Sequence, residues 1–127
     1  MKYIIDAYAW VEYLTGGRLG EKVRELILSD NEIISLNITI AEVISKVKRK
    51  KGDIKIAYEA INSNSKIIDI TPEIAKEAGM LHAEKREEIK NFGLVDAILV
   101  ITAREIKAKI LTGDHHLEDF KEVMFIK

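Results

Sequence analysis

Short apolar runs rich in β-branched residues alternate along this chain with longer stretches whose apolar residues recur every three or four positions. Residues 3–6, 33–36, 66–70, 109–112 and 123–126 are the strands this pattern predicts. Between them, Val23, Leu26 and Ile27 fit one face of a helix, and Val43, Ile44 and Val47 fit another. Ile98, Val100, Ile101 and Ile106 belong to a largely buried helix. Thr71-Pro72 opens a further helix, with a Thr cap and Pro at its first position, running through Met80 and beyond. Gly52 and Gly93 punctuate helix ends or turns, and Gly16-Gly17 marks a loop. Strands alternating with helices imply an α/β fold with a mostly parallel sheet of about five strands, covered by helices on both faces.

Composition narrows this picture. A chain of 127 residues, 47% hydrophobic and 32% charged, suits one globular domain spanning residues 1–127. No repeat, low-complexity tract or linker interrupts it. The apolar runs are too short to cross a membrane, Lys2 and Asp6 do not suit a secretory leader, and the expected location is cytoplasmic. Absence of cysteine removes disulfides and thiolate metal sites. A net charge of −1 excludes a broadly basic nucleic-acid binder, so any contact with a polyanion must come from a local patch.

Four acids stand out because each adjoins an apolar run: Asp6, Glu42, Asp96 and Asp114. An ionised carboxylate beside a core-facing surface is costly unless it is paired, hydrogen-bonded or bound to a metal. Asp6 ends the first strand and Asp114 follows the fourth. Glu42 falls in the first turn or so of the helix after the second strand, and Asp96 takes the same place after Gly93. In a parallel sheet all four then face the carboxyl edge, where sites form. Gathered there they repel one another, and a hard divalent cation, Mg²⁺ or Mn²⁺, relieves that repulsion. Such an ion suits phosphodiester hydrolysis. Each acid also has a plainer reading. Asp6 reads equally as the N-cap of a helix over Ala7–Leu14, Glu42 as an exposed or dipole-facing residue, and Asp114 as a turn residue. Asp96, flanked by Leu94, Val95, Ala97 and Ile98, has the weakest such alternative.

With these residues placed, the chain resembles the PIN-domain ribonucleases, and among them the small VapC-type toxins of toxin–antitoxin pairs. The likeness rests on Tyr3-Ile4-Ile5-Asp6, Ile40-Ala41-Glu42-Val43, Gly93-Leu94-Val95-Asp96-Ala97-Ile98 and Ile110-Leu111-Thr112-Gly113-Asp114. It implies a PIN-like three-layer α/β/α sandwich, a Mg²⁺ or Mn²⁺ site on the four acids, RNA cleavage, and Thr112 in support of the last acid. It implies as well a homodimer and a small antitoxin that inserts Arg into the acidic pocket, docking its apolar residues near Trp10 and Tyr13. Ala7 and Tyr8 stand where the family often has a Ser or Thr soon after the first Asp, so one supporting hydroxyl is missing there.

Lys46, Arg49 and Lys50 follow Glu42 by four, seven and eight positions, hence on its helix face, and are candidates to grip an RNA backbone. Taken singly, each reads first as a solvated cation near a helix C-terminus. Lys85, Arg86 and Lys90 offer a weaker second patch. His115 and His116 follow Asp114, and neighbouring positions do not easily face one ion, so a loop is the first reading and substrate contact by one of them the second; His82 reads as structural or exposed. Trp10, Tyr13 and Leu14 share one helix side, read first as core. Asp119 is a candidate supporting acid, although surface solvation is its plainer reading. Three alternatives to a toxin remain: an RNA-processing PIN nuclease without an antitoxin, a Mg²⁺-binding receiver-type signalling domain, and a catalytically inert binding module. A receiver needs adjacent acids near the first strand and a Lys ending a late one, whereas this chain has a lone Asp6 and Gly113-Asp114.

Overall fold

The computed structural model describes residues 1–126. The chain runs β1 (Lys2–Ile5), α1 (Ala7–Leu14), α2 (Gly20–Leu28), β2 (Glu32–Leu36), α3 (Asn37–Arg49), α4 (Ile54–Asn64), β3 (Lys66–Ile68), α5 (Pro72–Lys85), α6 (Leu94–Ile106), β4 (Lys109–Thr112) and β5 (Val123–Phe125). All four strand pairings are parallel, in the order β3-β2-β1-β4-β5. Ile4 lies opposite both Ile34 of β2 and Ile110 of β4.

Because side chains alternate along a strand, each strand feeds two cores. Tyr3, Ile5, Ile33 and Leu111 pack against Trp10 of α1, Val23 of α2, Val43 and Val47 of α3, and Ala57 and Ile61 of α4. Ile4, Ile34, Leu36 and Ile110 pack against Ala78 and Leu81 of α5 and Ala97, Leu99, Val100 and Ala103 of α6. The result is three layers, α/β/α, with the central strands buried on both faces and the edge strands β3 and β5 partly exposed. Near-continuous apolar strands are what that burial demands.

Several details depart from the sequence pattern. Helix α4 was not foreseen, since its alternating Ile54-Lys55-Ile56 resembles a strand and only Ala57 and Ile61, one turn apart, are buried. The Asp53 carboxylate starts it by accepting the Ile56 N–H at 3.1 Å. Strand β3 stops at Ile68, two residues short of the expected run. Thr71 does cap α5, accepting the Ile74 N–H at 3.1 Å. Trp10 is fully buried, so it cannot form part of the surface patch expected around it; Tyr13, edge-on to it at 5.8 Å, and Leu14 are partly buried. The Trp10 Nε1–H donates to Ser35 Oγ at 2.9 Å. Ser35 in turn meets Ser65 Oγ at 2.8 Å, and Ser65 donates to the Ile61 carbonyl at 2.6 Å. This relay satisfies a polar chain that would otherwise be stranded in the core.

From β1 the chain builds outward to β2 and β3 on one side, and later to β4 and β5 on the other. The order therefore reverses between β1 and β4, and a crevice opens beyond their carboxyl ends. Receiver domains use a different strand order, 2-1-3-4-5. The receiver-type alternative is therefore set aside. No helix among the described residues is long and apolar enough to cross a membrane.

Candidate active site

Asp6 sits immediately beyond β1, at the crevice. It caps α1, its Oδ1 accepting the Ala9 N–H at 2.9 Å, and its backbone N–H extends the sheet to the Leu111 carbonyl at 3.3 Å. Only 2% of it is exposed. Burial pushes its pKa up to about 7, against hydrogen bonds from the Thr112 hydroxyl and the Ala9 N–H that favour the charged form; Asp114 and Asp96 raise it further. The cap at α1 therefore also lies at the crevice beyond the strand ends.

Asp96 is the third residue of α6. Its Oδ2 accepts the Gly93 N–H at 2.8 Å, which fixes the carboxylate over the helix entrance. Its pKa is raised chiefly by burial, then by Asp114, while the Gly93 N–H and His116 oppose the rise. Thr112 is wholly buried at the end of β4, where its Oγ accepts the Asp114 N–H at 3.0 Å. The same hydroxyl donates to Asp6, so one side chain ties the two acids from adjacent strands. It supplies a hydroxyl on Asp6 that Ala7 and Tyr8 do not. Gly113 is needed here because a Cβ would collide with the Tyr8 ring.

Glu42 lies in the second turn of α3, one turn further in than expected, because that helix begins at Asn37 immediately after β2. It is exposed, as its plainer reading expected, while its place beyond the first turn weakens the reading that it serves the helix dipole. Its pKa is nevertheless raised, by desolvation first and then by Asp96 and Asp114. Asp6 and Glu42 each sense the charges of Asp96 and Asp114, and Asp96 senses that of Asp114, although only Asp96 and Asp114 bring donor atoms into a tight group among the described residues. That group has a third member, His116, with all donor atoms within 4.8 Å of one another. His116 Nε2 stands 3.1 Å from Asp96 Oδ2 and 4.0 Å from Asp114 Oδ2.

The sequence favoured a loop for His115 and His116, and did not anticipate that His116 alone would stand against Asp96 and Asp114. Residues 115–117 form a single 3₁₀ turn that sends its two histidines in different directions. His115 faces outward to Glu118 at 3.2 Å and tilts against Phe125. The available signal was a histidine two positions after the last acid. His82 proves structural, meeting the Phe92 carbonyl at 3.2 Å.

Ala7, Tyr8, Glu42, Lys46, Arg49 and Asp114 line a depression of about 210 Å³ beside the acids. Two of the three candidate RNA-gripping cations thus border the site, while Lys50 caps the far end of α3 outside it. Asp119 is exposed and lines a separate depression with Lys85, Ile89, Arg104 and Phe120, so its supporting role among the acids is withdrawn.

No curated protein sequence matches the chain. Among solved structures, VapBC2 from Rickettsia felis, bound to a DNA fragment from its promoter, superposes with a TM-score of 0.78 at 19% identity, covering 100% of both chains. A toxin–antitoxin complex from Klebsiella pneumoniae gives 0.76 at 23% identity, covering 96% of this chain and 95% of that one. VapC20 from Mycobacterium tuberculosis, a toxin that cleaves the sarcin–ricin loop, gives 0.76 at 16% identity, covering 95% and 98%. At such identities these likenesses speak for the fold. The family model for the PIN domain matches residues 3–123, nearly the whole chain, and on that ground the chain belongs to the PIN domain family.

Proposed function

We propose that residues 1–127 act as a single PIN domain, a divalent-metal-dependent endoribonuclease that hydrolyses RNA phosphodiester bonds in the cytoplasm as the toxin of a type II toxin–antitoxin pair. One observation carries the reading: Asp96 and Asp114, from different elements, converge at the sheet's reversal point beside a buried Asp6. A carboxyl whose pKa rests near 7 without a counter-ion is poised to take one. Cys-free, carboxylate-rich donors fit Mg²⁺ or Mn²⁺, which Asp6, Glu42, Asp96 and Asp114 would hold. When bound, the ion supplies activation of a water and neutralisation of charge at the phosphoryl group.

The protein's own residues do the rest. The Thr112 hydroxyl and the Gly93 N–H hold the Asp6 and Asp96 carboxylates in place. Lys46 and Arg49, across the depression, offer cations to an RNA backbone. Partnership with an antitoxin is supported by fold likeness to proteins of toxin–antitoxin complexes. A planar guanidinium bridging two carboxylates would block this pocket better than a Lys would. Homodimerisation belongs to the same reading, with two sites offered to a dimeric antitoxin.

The test is incubation of the purified chain with total RNA in Mg²⁺ or Mn²⁺ and in EDTA. Cleavage is expected only with metal, and it should fall by orders of magnitude in Asp96→Asn, which keeps the side chain's shape. Full cleavage by a folded Asp96→Asn variant rules the site out.

A further inference from the structure

We infer that His116 is a direct metal ligand and gives this site a preference for Mn²⁺ over Mg²⁺. The inference rests on the metal-dependent reading above and names the ion the site selects.

The spacing of the donors fits shared ligation. Around a small octahedral cation with bonds of about 2.1 Å, neighbouring donors lie roughly 3.0 Å apart and opposite ones roughly 4.2 Å. His116 Nε2 is 3.1 Å from Asp96 Oδ2 and 4.0 Å from Asp114 Oδ2, inside that range for both. An imidazole serving one ion pair needs only one carboxylate; this one is aimed between two, from separate elements.

The histidine is also held there. Leu117, fully buried, plugs the 3₁₀ turn into the α5/α6 core, and the Leu117 N–H closes the turn on the Asp114 carbonyl at 3.1 Å. Asp114 is fixed in turn by Thr112. Side-chain exposure separates the two neighbours, 26% for His116 against 73% for His115. A site assembled before the ion arrives loses little freedom on binding it.

A nitrogen donor changes the selection. Mg²⁺ favours all-oxygen octahedral shells and keeps its waters, whereas first-row transition ions accept imidazole readily. Two carboxylates and an imidazole therefore favour Mn²⁺, the weakest nitrogen binder of that series, over Mg²⁺.

The experiment measures binding rather than cleavage. Mn²⁺ and Mg²⁺ affinities are determined by calorimetry for the parent chain, His116→Ala and His116→Gln, and electron spin-echo modulation is recorded on the Mn²⁺-loaded parent. The parent should bind Mn²⁺ more tightly than Mg²⁺ and show coupling to a directly bound ¹⁴N. Both substitutions should abolish that coupling and weaken Mn²⁺ by roughly tenfold or more, with Mg²⁺ affected far less. No nitrogen coupling in the parent overturns the inference, and that spectrum needs no variant to fold. Equal loss of both ions overturns it too, since His116 would then act only by positioning Asp96. A parent that binds neither ion fails the metal-dependent function itself, a different and separately visible result.

Discussion

A buried acid whose proton is held near neutrality makes Asp6 a sensor of its own site. The native carboxyl binds a proton more tightly than the unfolded chain does, with a pKa of about 7 against 3.8. The unfolded state therefore holds fewer protons between those values, and stability falls as pH rises. Stability from this group is complete below about pH 4 and is lost through about pH 7, an effect on the order of a few kcal/mol. The raised pKa values of Glu42 and Asp96 act in the same direction. In EDTA the melting temperature of the parent should drop on going from about pH 5 to about pH 8, and Asp6→Asn should flatten that drop. Asn still caps α1, so the variant should fold. Millimolar Mn²⁺ or Mg²⁺ should raise the parent's melting temperature by binding the native state. Curves that ignore both pH and metal would count against the cluster.

At the scale of elements, α3 carries two chemistries on one face. Spacings of four and seven place Lys46 and Arg49 over Glu42, and all three line the same depression. Lys50, eight positions on, shares the face on paper but sits at the helix cap. Binding of RNA should therefore divide these cations. Lys46→Ala with Arg49→Ala should weaken binding across sequences and lower the slope of log affinity against log salt by about 1 to 2. Lys50→Ala should change that slope far less. Filter binding over a salt series, in EDTA to prevent cleavage, measures both. An unaltered slope in the double variant would make the run a solvated face. Helix α6 shows the complementary economy: Asp96 accepts the Gly93 N–H at the helix start, and on the proposed reading the same carboxylate serves the site.

For the whole molecule, the strand order decides what meets. β1 and β4 are more than a hundred residues apart in sequence and adjacent in the sheet, so Asp6 and Asp114 flank one crevice. On the proposed reading, the acids at this crevice suit a cationic inhibitor. Co-purification with the product of an adjacent small gene should yield a complex inactive on RNA, and Arg→Ala changes in the partner's flexible segment should restore cleavage. If no such gene exists and expression of the chain leaves growth untouched, the RNA-processing nuclease becomes the better account. Docking near Trp10 is not expected, because that ring belongs to the core.

What the sequence by itself determined was whatever depends on local pattern. Alternating apolar segments specified the α/β class and all five strands; Thr71-Pro72 specified the start of α5; and the odd placement of four acids beside apolar runs marked the residues on which the proposed site rests. Helix α4 escaped because two buried residues on a polar, β-branched segment carry little helical signal. Tertiary structure alone decided the rest. The reversal of strand order is a long-range property, and only it brings Asp6 beside Thr112. Burial of Asp6, and hence its raised pKa, comes from neighbours remote in sequence. The division between His115 and His116 follows from Leu117 anchoring a turn in a core built by α5 and α6, which no two-residue pattern can express.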